Sequence, residues 1–221
     1  IELLPGNYQE FSTIDVLGRN VSIIGLTANG DASGVVIQGG APGSGAVVAA
    51  RSGSDVWLEC VTITNGIGEQ GNNHFGGVFV SGTSTKLHID NCHIDANLNS
   101  GLVIDGGASP YVINSKIRNN NATENLSFEE DGEGTGGGVR LLDGDVTLID
   151  TLISGNHAKF FGGGVYVEEF SGEGETATLF GVEIDTNTTE GSGGGLVVND
   201  GSFATLQTSS ISGDACVISN N

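Results

Sequence analysis

Apolar and polar residues alternate along this chain in short runs, and the runs recur with a fixed internal pattern. One run of about six residues ends in an isoleucine. It occurs as Leu58-Glu59-Cys60-Val61-Thr62-Ile63, Ile89-Asp90-Asn91-Cys92-His93-Ile94 and Val112-Ile113-Asn114-Ser115-Lys116-Ile117. It recurs as Leu148 to Ile153, Leu179 to Ile184 and Leu206 to Ile211. Three residues beyond these isoleucines stand Gly66, Asn97, Asn120, Asn156, Asn187 and Asp214. A second run is a cluster of glycines followed by aliphatic residues. Its clearest copies are Gly136-Gly137-Gly138-Val139, Gly162-Gly163-Gly164-Val165 and Gly193-Gly194-Gly195-Leu196, with looser copies ending at Val47, Val78 and Leu102.

The two runs alternate strictly. Period-two alternation over five or six residues predicts strands, and no segment carries the apolar spacing of a helix. A sandwich would not repeat two strand signatures in strict order, whereas a solenoid would, with each coil stacked about 4.8 Å from the last. The predicted fold is all-β: a right-handed parallel β-helix of about seven to eight coils with almost no helix. No linker interrupts the pattern, so residues 1–221 are read as one domain. Ile63, Ile94, Ile117, Ile153, Ile184 and Ile211 are expected to form one buried column. The asparagines are expected to line an inside turn, where stacked amides can hydrogen-bond from coil to coil. Length variation falls in the turns, chiefly at 66–74, 121–135 and 168–176.

The Gly-Gly-Gly-Val runs and the Ile-Ser-Gly-Asn run at Ile153 to Asn156 resemble the GGA[ILV] and FxxN repeats of polymorphic outer membrane proteins. More broadly, the chain resembles the pectate-lyase-like right-handed β-helix superfamily. The resemblance spans nearly the whole chain and implies the fold. Its members include lyases, hydrolases, epimerases, adhesins and tailspikes, so it implies no one function.

Composition narrows the partners. Asp and Glu outnumber Lys and Arg by 27 to 7, for a net charge of −20. That field repels nucleic acid and anionic membranes. No apolar stretch reaches membrane-spanning length, so membrane insertion is not expected. There is no methionine, and the chain starts at Ile1, which reads as a mature product or an excised segment. Cys60, Cys92 and Cys216 are too few for a fully paired framework and match no zinc motif. Cys92 is expected to be a buried free thiol that does not face Cys60.

Candidate chemistry follows from the outward positions. Those flanking the anchor isoleucines bring His93 and Asp95 beside Lys116 and Arg118. Polysaccharide lyases and epimerases of this fold use a basic residue to abstract a proton and a cation to neutralise a sugar carboxylate. The competing reading is plain cross-strand pairing, chiefly Asp95 with Arg118. The mixed columns carry no regular threonine array, which disfavours ice binding. The paired aspartates of polygalacturonases and the Asp-Pro-His-Asp of mannuronan epimerases are both missing. The glycine-rich run yields a column Val48, Phe79, Val103, Arg140, Tyr166 and Val197, expected to face outward as an apolar stripe roughly 25 Å long.

Close carboxylates at Glu129, Glu130, Asp131 and Glu133 can hold calcium or form a solvated loop. No other cofactor is implied. Sequons at Asn20, Asn121, Asn125 and Asn187 are glycosylation candidates. The expectation is a non-enzymatic structural or adhesive protein, secreted or on a cell surface, as part of a filament or cell coat. The alternatives are a polysaccharide lyase or epimerase, or a non-catalytic glycan-binding module with Phe79 and Tyr166 stacking on sugars. Uncapped strand edges lead to the expectation of end-to-end contact with further protein, possible glycan partners included.

Overall fold

The computed structural model describes residues 1–40, 45–67, 76–122, 134–168, 174–199 and 201–221. Among these the protein is all-β, with parallel sheets and a single 3-10 turn at Ala32–Gly34.

The chain visits three sheets in fixed order and then repeats the circuit. The first sheet has eight strands, running from Glu2–Leu3 through Asp55–Glu59, Lys86–Asp90 and Tyr111–Ile113 to Phe203–Gln207. The second also has eight, including Thr62–Thr64, His93–Asp95, Lys116–Arg118, Leu152–Ser154 and Glu183–Asp185. The third has seven, including Val48–Arg51, Val78–Ser81, Leu102–Asp105, Val139–Leu141 and Val165–Val167. A short fourth sheet of three strands joins Asn121–Ala122, His157–Ala158 and Thr188–Thr189. Each strand pairs in parallel with its counterpart one circuit on, as Ile117 does with Ile153 and Ile153 with Ile184. This arrangement is compatible with a parallel solenoid.

The core lies between the three sheets. Ile63, Ile94, Ile117, Ile153 and Ile184 are all at most 1% exposed and stack in one column. Leu58, Ile89, Val112, Leu148 and Leu179 form the matching column of the first sheet. Val48, Val78, Leu102, Val139 and Val165 form that of the third. Val48 therefore points inward, a correction to its placement in the outward stripe. The outward residue of that strand is Ala49, which pairs with Phe79.

Corners are made by backbone in the left-handed region. Two residues after each anchor, Asn65, Ala96, Asn119, Gly155, Thr186 and Asn220 have φ between 51° and 63°. A second corner uses Cys60, Asn91, Asn114, Asp150 and Gly181. Asn, Asp and Gly reach this region most readily, which accounts for their recurrence there. The next residue closes that corner with its side chain. Ser115 Oγ donates to Ile113 O at 2.7 Å, Thr151 Oγ1 to Ile149 O at 2.8 Å, and Cys92 Sγ to Asp90 O at 3.2 Å.

An asparagine ladder closes the turn after the second sheet. The backbone N–H of Asn97, Asn120, Asn156 and Asn187 each donates to the Oδ1 of the next asparagine, ending at Asn221, at 2.9–3.0 Å. Each Nδ2 donates to that same Oδ1 and to a carbonyl of the preceding circuit, as Asn156 Nδ2 does to Asn187 Oδ1 and Ile117 O, both at 2.9 Å. The glycine clusters follow from this closeness. A Cβ on Gly138 would come within 2.6 Å of Gly164 O and 2.9 Å of Asn156 Nδ2.

The last circuit departs from the expected register. Ile211 is 62% exposed, and the partner of Ile184 is Ile218. Asp214 is likewise exposed, and Asn221 takes the ladder position. The cause is a local loop. Ser209 Oγ accepts the N–H of Ile211 and of Ser212, and donates to Asp150 Oδ2 at 2.9 Å, which turns the chain out before Val217–Ser219.

Candidate functional site

The parallel register of the second sheet places His93 opposite Lys116 and Asp95 opposite Arg118 on its outer face. Arg118 is committed to Asp95: Nε and Nη2 both stand 2.9 Å from Oδ2. Asn119 Nδ2 donates to the other carboxylate oxygen at 3.0 Å. Both oxygens of Asp95 thus have donors, and the guanidinium is already neutralised. Burial, then the charges of Lys116 and Arg118, hold the His93 imidazole below its usual range. Asp31 lies nearby, its carboxyl lowered chiefly by hydrogen bonds from Ser33 and to a lesser degree by His93 and Lys116. The four residues meet as the spacing predicts, with Arg118 held by Asp95 and Lys116 exposed beside His93.

The outward stripe does not lie bare. Phe79, Val103, Arg140 and Tyr166 form a cross-strand column and are at most 3% exposed, with Val197 half-buried at its end. Ala46, Ala49 and Leu142 pack with Phe79 and Val103 in a small apolar cluster outside the main core. The Tyr166 ring stacks on Phe161 at 6.2 Å. Burial and then Glu168 push the Tyr166 phenol up to about 12. Alternation fixes the direction of these side chains, but what covers them is set by parts of the chain distant in sequence. Phe79 and Tyr166 are therefore not available for stacking on sugars, which corrects that expectation.

Asn187 is also corrected as a glycosylation candidate. It is fully buried, and both hydrogens of its amide are donated, to Ile153 O at 2.9 Å and Asn221 Oδ1 at 3.0 Å. Asn20 is exposed at the start of a strand, and Asn121 is half-buried in the short fourth sheet. Asn125, Glu129, Glu130, Asp131 and Glu133 lie outside the described residues. Among the described residues, no group of three or more His, Cys, Asp or Glu side chains could hold a metal ion, and no helix is long and apolar enough to cross a membrane.

All three cysteines are free thiols. Cys92 points inward and is fully buried, and burial pushes its thiol up to about 12. Cys60 occupies the preceding corner position, where Asn91 Nδ2 donates to its sulfur at 3.5 Å.

A further site lies on the outer face of the first sheet. Trp57, His88 and Tyr111 stand on adjacent strands in one column. Trp57 stacks on His88, with ring centroids 4.2 Å apart and planes at 16°. Tyr111 follows at 6.5 Å and 49°. A groove of about 490 Å³ runs beside this row, lined by Asp55, Trp57, Ser84, Lys86, His88 and Ser109 among others. The signal for it was present in the runs Asp55-Val56-Trp57-Leu58 and Lys86-Leu87-His88-Ile89. Those runs precede the anchor strand, so columns flanking the anchor isoleucines do not contain them.

No family model, curated protein or solved structure matches the chain.

Proposed function

We infer that this chain is a length of right-handed parallel β-helix serving as a non-enzymatic structural or adhesive protein outside the cell. The strand order supports the solenoid, and parallel crossovers of this kind are almost always right-handed. The observation that carries the non-enzymatic reading is the Asp95–Arg118 pair, which occupies one of the two cations a lyase or epimerase would use at this cluster. The asparagine ladder and the isoleucine column make a stiff axis, which suits a load-bearing or display element. The charge of −20 opposes close lateral packing, so glycans or divalent cations at such contacts fit the reading.

Incubation of the protein with pectate and with alginate tests this function. The expected result is no unsaturated uronate product. Product formation that Lys116→Ala or Arg118→Ala abolishes would contradict it and establish a lyase.

A further inference from the structure

The Trp57 row is an aromatic stretch of an outward column that otherwise carries hydroxyls. Beyond Tyr111 the same column continues as Thr147, Thr178 and Thr205. On the other side the neighbour of Trp57 is Ser22. The serine is short, so no ring covers the second face of the indole, and Trp57 remains 45% exposed. The row therefore ends in an aromatic shelf one strand high, roughly 4.8 Å.

The groove wall is polar. Ser84 and Ser109 supply hydroxyls, and Lys86 supplies a cation. Among the described residues Asp55 Oδ1 has no hydrogen-bond donor; His88 Nε2 stands 4.0 Å away. Aromatic rings beside hydroxyls and an unused acceptor match a ligand with one apolar face and several O–H groups. A pyranose has that chemistry.

The charge of the groove selects among sugars. Asp55 and Lys86 offset each other at the wall, while Glu59 and Asp90 occupy the next outward column of the same two strands. The local field is acidic, as is the whole protein, and disfavours uronates and sulfated sugars. A cationic ligand is disfavoured by geometry. An aromatic cage directs several ring faces at one point, whereas these rings stand in series and Trp57 and His88 cover one another.

We propose that the surface around Trp57 binds a neutral polysaccharide, with one pyranose ring stacked on the open face of Trp57 beside Ser22 and the hydroxyls of the adjoining sugar reaching the groove lined by Asp55, Ser84 and Lys86. This site supplies the ligand for an adhesive role and rests on the non-enzymatic reading only in that the sugar is held and not cleaved.

Trp57 is the one tryptophan in the chain, so its emission reports the site directly. The test titrates the protein with cellohexaose, hexa-N-acetylchitohexaose, hexagalacturonate and hexalysine, following Trp57 emission and binding heat. Saturable binding of at least one neutral hexasaccharide is expected, with no response to hexagalacturonate. Trp57→Ala, at an exposed position, should keep the wild-type circular dichroism and weaken that binding about tenfold or more by calorimetry. Phe160→Ala, at an exposed aromatic away from the groove, should leave it unchanged. Failure of both neutral sugars to bind, equal or tighter binding of hexagalacturonate, a Trp57 response to hexalysine alone, or undiminished binding by Trp57→Ala would each overturn the proposal. Cleavage of a bound hexasaccharide would leave the site standing and overturn the non-enzymatic reading instead.

Discussion

Replacing Asn156 with alanine should be among the most damaging single changes this protein can suffer. Asn156 is fully buried and sits in the middle of the ladder. Its Oδ1 accepts from the backbone N–H of Asn120 at 3.0 Å and from Asn120 Nδ2 at 2.9 Å. Its Nδ2 donates to Ile117 O and to Asn187 Oδ1, each at 2.9 Å. The substitution removes four hydrogen bonds at once. Each contributes about 1 kcal/mol net, and the stranded buried partners add a desolvation cost, so the expected loss is about 3–5 kcal/mol. That is a large share of the roughly 5–15 kcal/mol by which a domain is stable. Asn221 supplies the same pattern at the exposed end of the ladder, where water can replace the lost partners. Asn221→Ala should therefore cost about 1 kcal/mol or less. Equilibrium urea unfolding of the two variants, followed by circular dichroism, gives both values. A loss below about 1 kcal/mol for Asn156→Ala, or one no larger than that of Asn221→Ala, would refute the ladder as a principal source of stability.

Two further changes probe the core and its register. Ile153→Ala should cost about 2–5 kcal/mol, while Ile211→Ala, at an exposed site, should stay within about 0.5 kcal/mol in the same unfolding assay. Cys92→Ser should fold, because Ser115 and Thr151 occupy the equivalent corner and make the same bond to the carbonyl two residues back. Between the ordinary thiol range and about 12, the unfolded chain has lost the Cys92 proton and the folded chain has kept it, so stability should fall as pH rises through that window. Cys92→Ser should flatten that part of the pH profile, and an unchanged profile would contradict the burial of the thiol.

Much of the architecture is legible because it is periodic. An isoleucine with asparagine three residues later marks one corner of each circuit, and parallel stacking then forces like positions into columns. The Asp95–Arg118 pairing and the inward Cys92 follow from that register alone. Three features are not periodic and escape the same reasoning. Ile211 matches the run locally, yet Ser209 turns the chain out, and Ile218 with Asn221 restores the isoleucine-to-asparagine spacing seven residues later. The Phe79–Tyr166 column points outward as alternation demands, but whether it meets solvent depends on distant segments. The sequon at Asn187 is a three-residue pattern, whereas its burial is a property of the ladder formed with Asn156 and Asn221. The Trp57 row required the register of the first sheet, since Trp57, His88 and Tyr111 are 31 and 23 residues apart and become neighbours only through strand pairing.

The central claim is a continuous column of anchor isoleucines built by parallel stacking of successive circuits. Methyl-labelled isoleucine and nuclear Overhauser contacts test it at one residue. The Ile184 δ-methyl should show contacts to Ile153 on one side and to Ile218 on the other. Contacts to Ile211 in place of Ile218, or to neither neighbouring anchor, would contradict the account.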